Sequence, residues 1–325
     1  MTRIKIKSGS LSGAKRALPR HRDMFIVYDR NVVLHEAKAF GKSPAMAIDA
    51  DEEHKTMDTV MAICRWLMSM GAGRDSLLVA MGGGVTTDLA GFAACIYKRG
   101  IRYVNIPTTL LSMVDAGIGG KTGVNVDSYK NMVGIIRQPE LTYICPETLS
   151  SLPARELRSG AAELLKTFII KDDGNYQKAV EALSGTPDLT ALAPLVKAAA
   201  EVKAAIVRRD EFETGKRRLL NLGHTYAHAI EWWEHSHGVA DPCTHGEAVA
   251  IGIVKAAEES EKRGICPAGL AAKFRADFAL CGLPTEIPCP EEELLPAIRQ
   301  DKKAEEGKLN FVFIRRVGDV VIKRI

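Results

Sequence analysis

Short apolar runs alternate with helix-like segments through the first half of the chain. The runs that are typical of buried strands are Met24–Tyr28, Ala45–Ile48, Leu77–Met81 and Arg102–Ile106. Between them, apolar residues at helical spacing predict helices over Glu52–Met70 and Val85–Tyr97. Strands that alternate with helices in this way favour a mostly parallel sheet with helices on both faces.

The second half of the chain has helical spacing and few β-branched runs. Helices are predicted over Pro153–Lys171, Leu189–Arg209, Leu219–Trp233, Glu247–Arg263, Ala268–Cys281 and Glu291–Lys303. Leu309–Ile314 and Val317–Ile322 predict a small terminal hairpin. Leu152-Pro153 is a natural boundary, because proline is favoured at the first position of a helix. We therefore predict an α/β domain over residues 1–151 and a mainly α-helical domain over residues 152–325.

Composition narrows the classes of function. The chain has 325 residues, of which 46% are hydrophobic, and this is enough for a large core and two domains. The net charge of +4 is not clustered, which disfavours nucleic-acid binding. The seven scattered cysteines lack a Cys-x-x-Cys pair, which favours a reducing compartment. No apolar run is long enough to span a membrane and no signal peptide is evident, so we expect a soluble cytoplasmic protein without a nucleic-acid or membrane partner.

A glycine run is the first chemical signal. Leu77–Met81 leads directly into Gly82-Gly83-Gly84, and such glycines let backbone N–H groups approach a pyrophosphate at a helix N-terminus. The run is not Gly-x-Gly-x-x-Gly, and a tight strand-to-helix turn explains it equally well. Asp88 lies one turn into the following helix. It could contact a ribose or an amide, or it could be a solvated acid favoured by the helix dipole.

A second glycine-rich segment extends from Pro107 to Asn125. Its four glycines, Asp115 and Lys121 follow a strand end and suggest an anion-binding loop. It is not a P-loop, because a glycine is missing five residues before Gly120. Lys121 lies between Gly119-Gly120 and Thr122-Gly123 in an apolar neighbourhood and is predicted to face a ligand. Lys130-Asn131 continues the same polar segment.

Histidines and a carboxylate form a candidate metal set. His224 and His228 lie four residues apart, which places both imidazoles on one face of a helix. His245 begins a second histidine segment, and Glu163 and Lys166 precede both. Two imidazoles and one carboxylate suit zinc with one position left open. The candidates for the metal are Glu163, His224, His228, His235, His237 and His245.

The flanks of the histidine pair carry further polar groups. Arg217 and Asn221 are predicted to share overlapping faces of one helix with the pair, so that anion-binding and metal-binding groups point into one cavity. Arg217 could form a fork with a carboxylate or phosphate, or a surface salt bridge with Glu213. His235 and His237 fall in a predicted polar loop and are expected at the surface.

Taken in order along the chain, these sequence segments resemble those of the 3-dehydroquinate synthase family of the sugar-phosphate cyclases. The resemblance extends from Asp29 to Lys303. The specific blocks are Gly82-Gly-Gly-Val-x-x-Asp88, Tyr97-Lys-Arg99-Gly100, Pro107-Thr-Thr-Leu-Leu, Val114-Asp115, Gly119-Gly-Lys-Thr, Lys130-Asn131, Leu220-Asn-Leu-Gly-His-Thr, His228 and His245-Gly-Glu. The resemblance implies a dehydroquinate synthase-like fold, in which an α/β Rossmann-like N-terminal domain precedes a mainly α-helical metal-binding C-terminal domain.

The resemblance also implies cofactors and site residues. Glu163, His224 and His245 would hold Zn2+, with Co2+ as an alternative ion. NAD would contact Asp29, Asn31, Glu52, Lys55, Gly83, Gly84, Val85, Asp88, Thr108, Thr109, Asp115, Lys121 and Lys130. A seven-carbon keto-acid sugar phosphate would meet Lys121, Asn131, Lys166, Lys203, Arg217, Asn221, His228 and Lys302. Arg99 would reach the substrate phosphate across the interface of a homodimer.

The implied reaction belongs to the shikimate pathway and to chorismate and aromatic amino acid biosynthesis. A carbon–oxygen lyase acting on phosphates would convert 3-deoxy-D-arabino-heptulosonate 7-phosphate to 3-dehydroquinate and phosphate. The steps would be oxidation by NAD, phosphate elimination, re-reduction, ring opening and intramolecular aldol closure. The departing phosphate would take the proton while basic groups including His228 hold it. NAD would be regenerated in each turnover.

Three other functions remain open. Another sugar-phosphate cyclase would make a valiolone, an inosose or an aminated quinate, but the cations Lys203, Arg217 and Lys302, together with Asn221, favour a substrate that bears a carboxylate. A metal-dependent polyol dehydrogenase would use similar metal ligands without a phosphate cradle. A non-enzymatic scaffold would tolerate His224→Ala and Lys121→Ala.

Overall fold

The structure is a computed structural model. It describes residues 4–32, 40–127, 129–172, 174–304 and 310–325, without the side chains of residues 300–304. Among these residues, no helix is both long enough and apolar enough to cross a membrane. The chain forms two compact units, one of Met1–Pro153 with Val196–Glu211 and one of Ala154–Leu195 with Phe212–Ile325. Val196–Glu211 therefore packs with the first unit, although the sequence placed it in the second domain.

The first unit is built on a parallel sheet. Its strands are β1 (Ile6–Ser8), β2 (Met24–Asp29), β3 (Ala45–Ile48), β4 (Leu77–Gly82), β5 (Arg102–Pro107), β6 (Lys121–Val126), β7 (Tyr129–Ile136) and β8 (Leu141–Ile144). Six of them form one sheet in the order β1-β8-β5-β4-β2-β3, with every neighbouring pair parallel. The four strands predicted from apolar runs are all in this sheet, and the predicted fold class is confirmed.

Helices cover the sheet and complete two cores. The helices are α1 (Leu11–Ala17), α2 (Met57–Ser69) and α3 (Gly84–Ile96). Alternate residues of β4 enter different cores, with Leu78 and Ala80 in one and Val79 in the other. Helix α2 begins five residues later than predicted, because Thr56 caps it by accepting a hydrogen bond from the backbone N–H of Thr59 at 3.3 Å.

A hairpin begins in the last residues of the segment that the sequence predicted as an anion-binding loop. Strands β6 and β7 pair in antiparallel register, with Gly123 opposite Gly134. A Cβ atom on Gly134 would lie 2.0 Å from the carbonyl oxygen of Thr122, so the two strands need glycine where they approach most closely. The prediction missed these strands because the apolar alternation of β6 is broken by glycine and asparagine.

The second unit is mainly helical. Its elements are α4 (Ala154–Ile170), α5 (Tyr176–Leu183), the first part of α6 (Leu189–Arg209), α7 (His224–Ser236), α8 (His245–Lys262), α9 (Leu270–Leu280), α10 (Glu291–Ala304), β9 (Asn310–Arg316) and β10 (Asp319–Arg324). Helix α8 is central and packs against α4, α7, α9 and β9. Strands β9 and β10 form the predicted antiparallel hairpin. Helix α5 was not predicted.

The predicted helix over Leu219–Trp233 is wrong at its start. Lys216–Asn221 forms a separate 3-10 turn, and α7 begins only at His224. Gly223 separates the two with φ of +82°. A Cβ atom on Gly252 of α8 would lie 2.0 Å from the carbonyl oxygen of Gly223. The start of α7 therefore rests directly on α8 through two glycines.

Replacing Gly252 should destabilise the second unit. In Gly252→Ala, the methyl group would overlap the Gly223 carbonyl, so we expect the free energy of unfolding to fall by ~1–3 kcal/mol. Urea unfolding followed by circular dichroism measures the change. Gly73→Ala is the matched control, because its Cβ atom would meet only Ser76 Oγ at 3.9 Å. Equal stability of the two variants would contradict the close approach.

Candidate functional site

Three helices of the second unit bring Glu163, His224 and His245 together. Glu163 lies within α4, while His224 and His245 are the first residues of α7 and α8. Oε1 of Glu163 is 3.6 Å from Nε2 of His245 and 4.0 Å from Nε2 of His224. One ligand atom from each residue lies within 4.8 Å of the others. These are the three residues that the resemblance assigned to the metal.

The position of His245 follows from how α8 begins. Thr244 and Glu247 form a capping box, in which the Glu247 carboxylate accepts from the backbone N–H of Thr244 at 2.7 Å. A Cβ atom on Gly246 would lie 1.9 Å from the carbonyl oxygen of Ser159. Only glycine permits α8 to start so close to α4, one turn before Glu163. This contact fixes the spacing between the two metal candidates.

The electrostatics of the cluster suit a cation. Glu163 is fully buried, and neither of its carboxylate oxygens has a hydrogen-bond partner of standard geometry among the described residues. Burial would raise the pKa of Glu163, but Lys166, which pairs with Oε2, and His245 outweigh it and hold that pKa below its usual range. An ionised, buried carboxylate that faces two imidazole nitrogens is a fitting donor set for zinc, and it leaves a coordination position open.

The other nitrogen of each imidazole faces an oxygen atom. Nδ1 of His224 lies 3.3 Å from the backbone carbonyl of Leu222, and Nδ1 of His245 lies 3.4 Å from Oε1 of Glu231. Glu231 is not among the residues predicted from the sequence. Its spacing contained the signal, because it follows His224 by seven residues and therefore lies on the same face of α7.

Other predicted residues of the second unit are near the cluster or at the surface. The His228 ring packs edge-on against His224 with 5.3 Å between centroids, and its side chain is exposed. Arg217 is 3% exposed, so it does not lie at the surface. Asn221 is exposed and donates to Oε1 of Glu213 at 2.9 Å. Because the predicted helix is interrupted at Gly223, Arg217 and Asn221 do not share a helix with the histidines.

His235 and His237 do not join the cluster that the structure describes. His235 and His237 are exposed, as predicted, but His235 lies in the last turn of α7 and not in a loop. The prediction ended this helix at Trp233, three residues before its last residue. The side chain of Lys302 lies outside the described residues.

In the first unit, the predicted NAD-binding residues gather where parallel strands end. Asp29 ends β2, Gly82 ends β4 and Thr108 follows β5. A Cβ atom on Gly82 would lie 3.0 Å from Cβ of Asp29, and the N–H of Thr108 donates to the carbonyl of Gly82 at 2.9 Å. Ligands of open α/β sheets bind at this edge.

Glycines open the N-terminus of α3. Gly83 is its N-cap residue, and a Cβ atom there would lie 3.1 Å from Cγ2 of Thr109. Gly84 and Val85 begin the helix, whose first turn contains no acidic residue. The first N–H groups of a helix attract anions, so this end fits a pyrophosphate. Asn31 donates its backbone N–H to the neighbouring Asp29 carboxylate at 2.9 Å.

Lys55 links two predicted groups. Its Nζ donates to Oδ2 of Asp88 and to Oδ1 of Asn131, both at 2.6 Å. Asp88 is therefore ion-paired, with its side chain 18% exposed, and the alternative of a solvated acid is wrong. Asn131, assigned to the substrate by the resemblance, contacts a residue assigned to NAD. Burial raises the pKa of Asp88 to about 6, although Lys55 acts in the opposite direction.

A further asparagine joins this network. Asn125 donates to Oε2 of Glu52 at 2.8 Å and accepts from the backbone N–H of Asn131 at 2.9 Å. The sequence analysis noted Asn125 only as the end of the glycine-rich segment. Its position near the end of β6, opposite β7, could have been inferred only if the hairpin had been predicted.

Lys203 and Asp115 form a second pair within the first unit. Nζ of Lys203 donates to the backbone carbonyl of Asp115 at 2.8 Å and to its Oδ1 at 2.5 Å. Lys203 is 6% exposed, so this charge pair is largely buried. Lys121 and Lys130 are exposed on β6 and β7. Arg99 is also exposed, in a turn after α3.

Removing Lys55 should shift the pH dependence of stability. The folded-state pKa of Asp88 lies above the ordinary value of 3.8, so the folded state binds the proton more tightly and stability falls as the pH rises from about 4 to about 6. Without Lys55, this pKa rises further and the loss extends towards neutral pH. Thermal unfolding of Lys55→Met against pH measures the change, and the double variant Lys55→Met/Asp88→Asn is the control that should lack it. Superimposable profiles for the two variants would contradict the coupling.

Comparison with known proteins places the chain in a family. Residues 45–159 match the family described as 3-dehydroquinate synthase N-terminal, and residues 160–304 match 3-dehydroquinate synthase C-terminal. A 3-dehydroquinate synthase from Acidithiobacillus ferrooxidans is 43% identical over 291 residues, covering 88% of this chain and 78% of that protein. One from Paracoccus denitrificans is 38% identical over 333 residues, covering 97% and 90%.

Solved structures agree with this placement. A 2-epi-5-epi-valiolone synthase from Streptomyces hygroscopicus, with NAD+ and Zn2+ bound, has a TM-score of 0.87 at 28% identity and covers all of this chain and 93% of its own. A 2-deoxy-scyllo-inosose synthase in complex with carbaglucose-6-phosphate, NAD+ and Co2+ has a TM-score of 0.86 at 26% identity, covering 98% and 93%. The expected enzyme class is confirmed, and the chain belongs to the 3-dehydroquinate synthase family.

Proposed function

We propose that the chain is a 3-dehydroquinate synthase that converts 3-deoxy-D-arabino-heptulosonate 7-phosphate to 3-dehydroquinate and phosphate. The convergence of Glu163, His224 and His245 carries this proposal, because it provides a mixed oxygen and nitrogen donor set around a buried carboxylate. The relatives of that name support it, since they cover most of the chain at 37–43% identity. The place of the reaction would be the shikimate pathway.

The two cofactors would divide the chemistry. Zinc or cobalt, when bound, supplies a Lewis acid for the substrate alcohol, and NAD supplies a reversible hydride acceptor. The metal would be held in the second unit by the Glu163 carboxylate and by Nε2 of His224 and His245. The carboxylate is already ionised, so it can hold a cation without first losing a proton. We assign the first unit as the NAD-binding domain and the second as the metal- and substrate-binding domain.

In the first unit, the N-terminus of α3 would receive the pyrophosphate of NAD. Asp88 and Lys55 would stand beside it as a buried ion pair, so that their charges are offset before the cofactor arrives. The network through Asn125 and Asn131 would hold Lys55 in place. The residues proposed to contact NAD are Asp29, Asn31, Glu52, Lys55, Gly83, Gly84, Val85, Asp88, Thr108, Thr109, Asp115, Lys121 and Lys130.

In the second unit, polar side chains would bind and orient an anionic substrate. Arg217 is buried, and its planar guanidinium suits a carboxylate or phosphate. The exposed imidazole of His228, packed against His224, would hold the departing phosphate and can carry a proton at a ring nitrogen. Lys166 would balance the charge of Glu163. The residues proposed to act on the substrate are Lys121, Asn131, Lys166, Lys203, Arg217, Asn221, His228, Lys302 and Arg99.

A sister cyclase is the second candidate function. The two cyclase structures compared above, a valiolone synthase and an inosose synthase, have high TM-scores, which supports this alternative. Their sequences are only 28% and 26% identical to this chain, whereas the 3-dehydroquinate synthases reach 43%. The higher identity favours the first proposal. A butanol dehydrogenase from Thermotoga maritima shares the fold at a TM-score of 0.62 and 13% identity.

We also propose a homodimer in the reducing cytoplasm. Tyr129 and Met132 of β7 are 63% and 65% exposed, which is unusual for large apolar side chains and supports an interface on this hairpin. Arg99 lies in a turn where its backbone is left-handed, with φ of +67°. The free state of all seven cysteines fits a reducing compartment.

Phosphate release from the seven-carbon substrate tests the function. With zinc and a catalytic amount of NAD, we expect one phosphate per substrate and 3-dehydroquinate, identified by mass and by coupling to a dehydratase. No net NADH should accumulate, because the hydride is returned. Release from sedoheptulose 7-phosphate or glucose 6-phosphate instead would indicate a sister cyclase, and net NADH from a simple polyol would indicate a dehydrogenase.

A substitution of one proposed metal ligand tests the metal assignment in the same assay. Glu163→Gln should lose zinc binding and turnover while the fold is kept, because the amide has no charge to offset the cation. Glu156→Gln is the matched control, since it makes the same change at an exposed position of the same helix. Normal turnover by metal-depleted Glu163→Gln would refute the metal assignment.

Sedimentation and activity together test the dimer. We expect a mass twice that of the chain, and a charged variant, Tyr129→Asp/Met132→Asp, should lower it towards the monomer because charges would be buried in the interface. Arg99→Ala should remain dimeric but lose affinity for the phosphate-bearing substrate. A monomeric wild-type chain with full activity would contradict this proposal.

A further inference from the structure

Both imidazoles of the metal cluster present the same nitrogen to Glu163. In His224 and in His245, Nε2 is the atom directed at Oε1 of the carboxylate. A ring nitrogen can bind a metal only when it carries no proton, so the proton of the neutral ring must be on Nδ1. An acceptor beside Nδ1 stabilises that tautomer. The groups that contact Nδ1 therefore determine whether Nε2 of each ring is unprotonated and able to bind a metal.

The two acceptors differ in chemistry. His224 has the backbone carbonyl of Leu222 at 3.3 Å, two residues before it, and this contact comes from the turn that begins α7. His245 has the carboxylate of Glu231 at 3.4 Å, from a different helix. A carbonyl is neutral, whereas a carboxylate carries a full negative charge and accepts a stronger hydrogen bond. His245 is therefore the ring that depends on a distant side chain.

The location of Glu231 suits this contact. It lies two turns after His224 on α7, and its side chain is 17% exposed, so solvent screens it only partly. Carboxylates that hold the second nitrogen of a metal-bound histidine are common in proteins and raise the basicity of the ring.

We propose that Glu231 is a positioning residue that holds His245 with Nε2 free for the metal, through the contact between its carboxylate and Nδ1. This inference rests on the proposed function, because that function supplies the metal. Glu231 does not touch the substrate or the metal in this role. It sets the tautomer and orientation of one ligand, and its charge strengthens the donor nitrogen.

A purely structural role is the competing explanation. The neighbouring Glu234 has such a role, since its buried carboxylate accepts from the backbone N–H of Cys243 at 3.0 Å and holds the segment before α8. If Glu231 only helped to fasten the same segment, its removal would lower stability without changing the chemistry of the metal ligands. Metal affinity and the spectrum of a bound metal separate the two roles.

The test compares Glu231→Ala and Glu231→Gln with the wild-type chain. Zinc affinity is measured by competition with a chromophoric chelator, the visible absorption spectrum is recorded after loading with Co2+, and the unfolding temperature is recorded without metal. We expect Glu231→Ala to bind zinc about 10–100-fold more weakly and to shift the Co2+ bands, with the metal-free unfolding temperature unchanged. Glu231→Gln keeps an acceptor oxygen without the charge, so its affinity should lie between the two.

Glu259→Ala is the matched control. Glu259 lies on α8, has a side-chain exposure of 24% and is also ion-paired, with Arg263 at 3.3 Å, but it is remote in sequence from the ligands. Its zinc affinity and Co2+ spectrum should equal those of the wild type. Zinc binding by Glu231→Ala within twofold of the wild type, with an unchanged Co2+ spectrum, would overturn the inference alone. A wild-type chain that binds no zinc would overturn the proposed function as well.

Discussion

The buried carboxylate of Glu163 is the constraint on which the second unit depends. An ionised carboxylate without water is costly unless positive charge or hydrogen bonds surround it. Lys166 supplies one charge from the next turn of α4, and His224 and His245 direct nitrogen atoms at the remaining oxygen. One ligand atom from each of these three residues therefore lies close to the other two. A divalent cation satisfies all of them together, and this is why the cluster reads as a metal centre.

Glycines at helix contacts make that cluster possible. Gly246 allows the start of α8 to approach the backbone of α4, and Gly252 allows α8 to touch the Gly223 carbonyl before α7. Each glycine removes a side chain where two backbones meet. The first residues of α7 and α8 consequently carry their imidazoles towards α4. Packing and function are therefore coupled, since the same close approaches set the spacing of the ligands.

The first unit places its polar residues at the ends of strands and not between helices. Its sheet collects polar residues at the ends of parallel strands, where a helix N-terminus offers N–H groups to an anion. Two buried lysines, Lys55 and Lys203, are each paired with an aspartate of the same unit. In each pair the aspartate offsets the charge of the buried lysine. The pairing also fixes side chains that the family resemblance assigns to NAD and to the substrate. Charge pairs as well as glycines therefore shape the proposed nucleotide site.

The sequence by itself determined the parallel sheet, most helices and the set of candidate metal ligands. Strands and helices follow from local apolar spacing, whereas the choice of Glu163, His224 and His245 among six candidates came from the family resemblance. Only the tertiary structure placed Asn131 against Lys55 and Glu231 against His245. Contacts of this kind join residues from different elements, and their distance depends on register and on close backbone approach. A glycine that permits such an approach looks the same in the sequence as a glycine in a turn, so local pattern cannot reveal it.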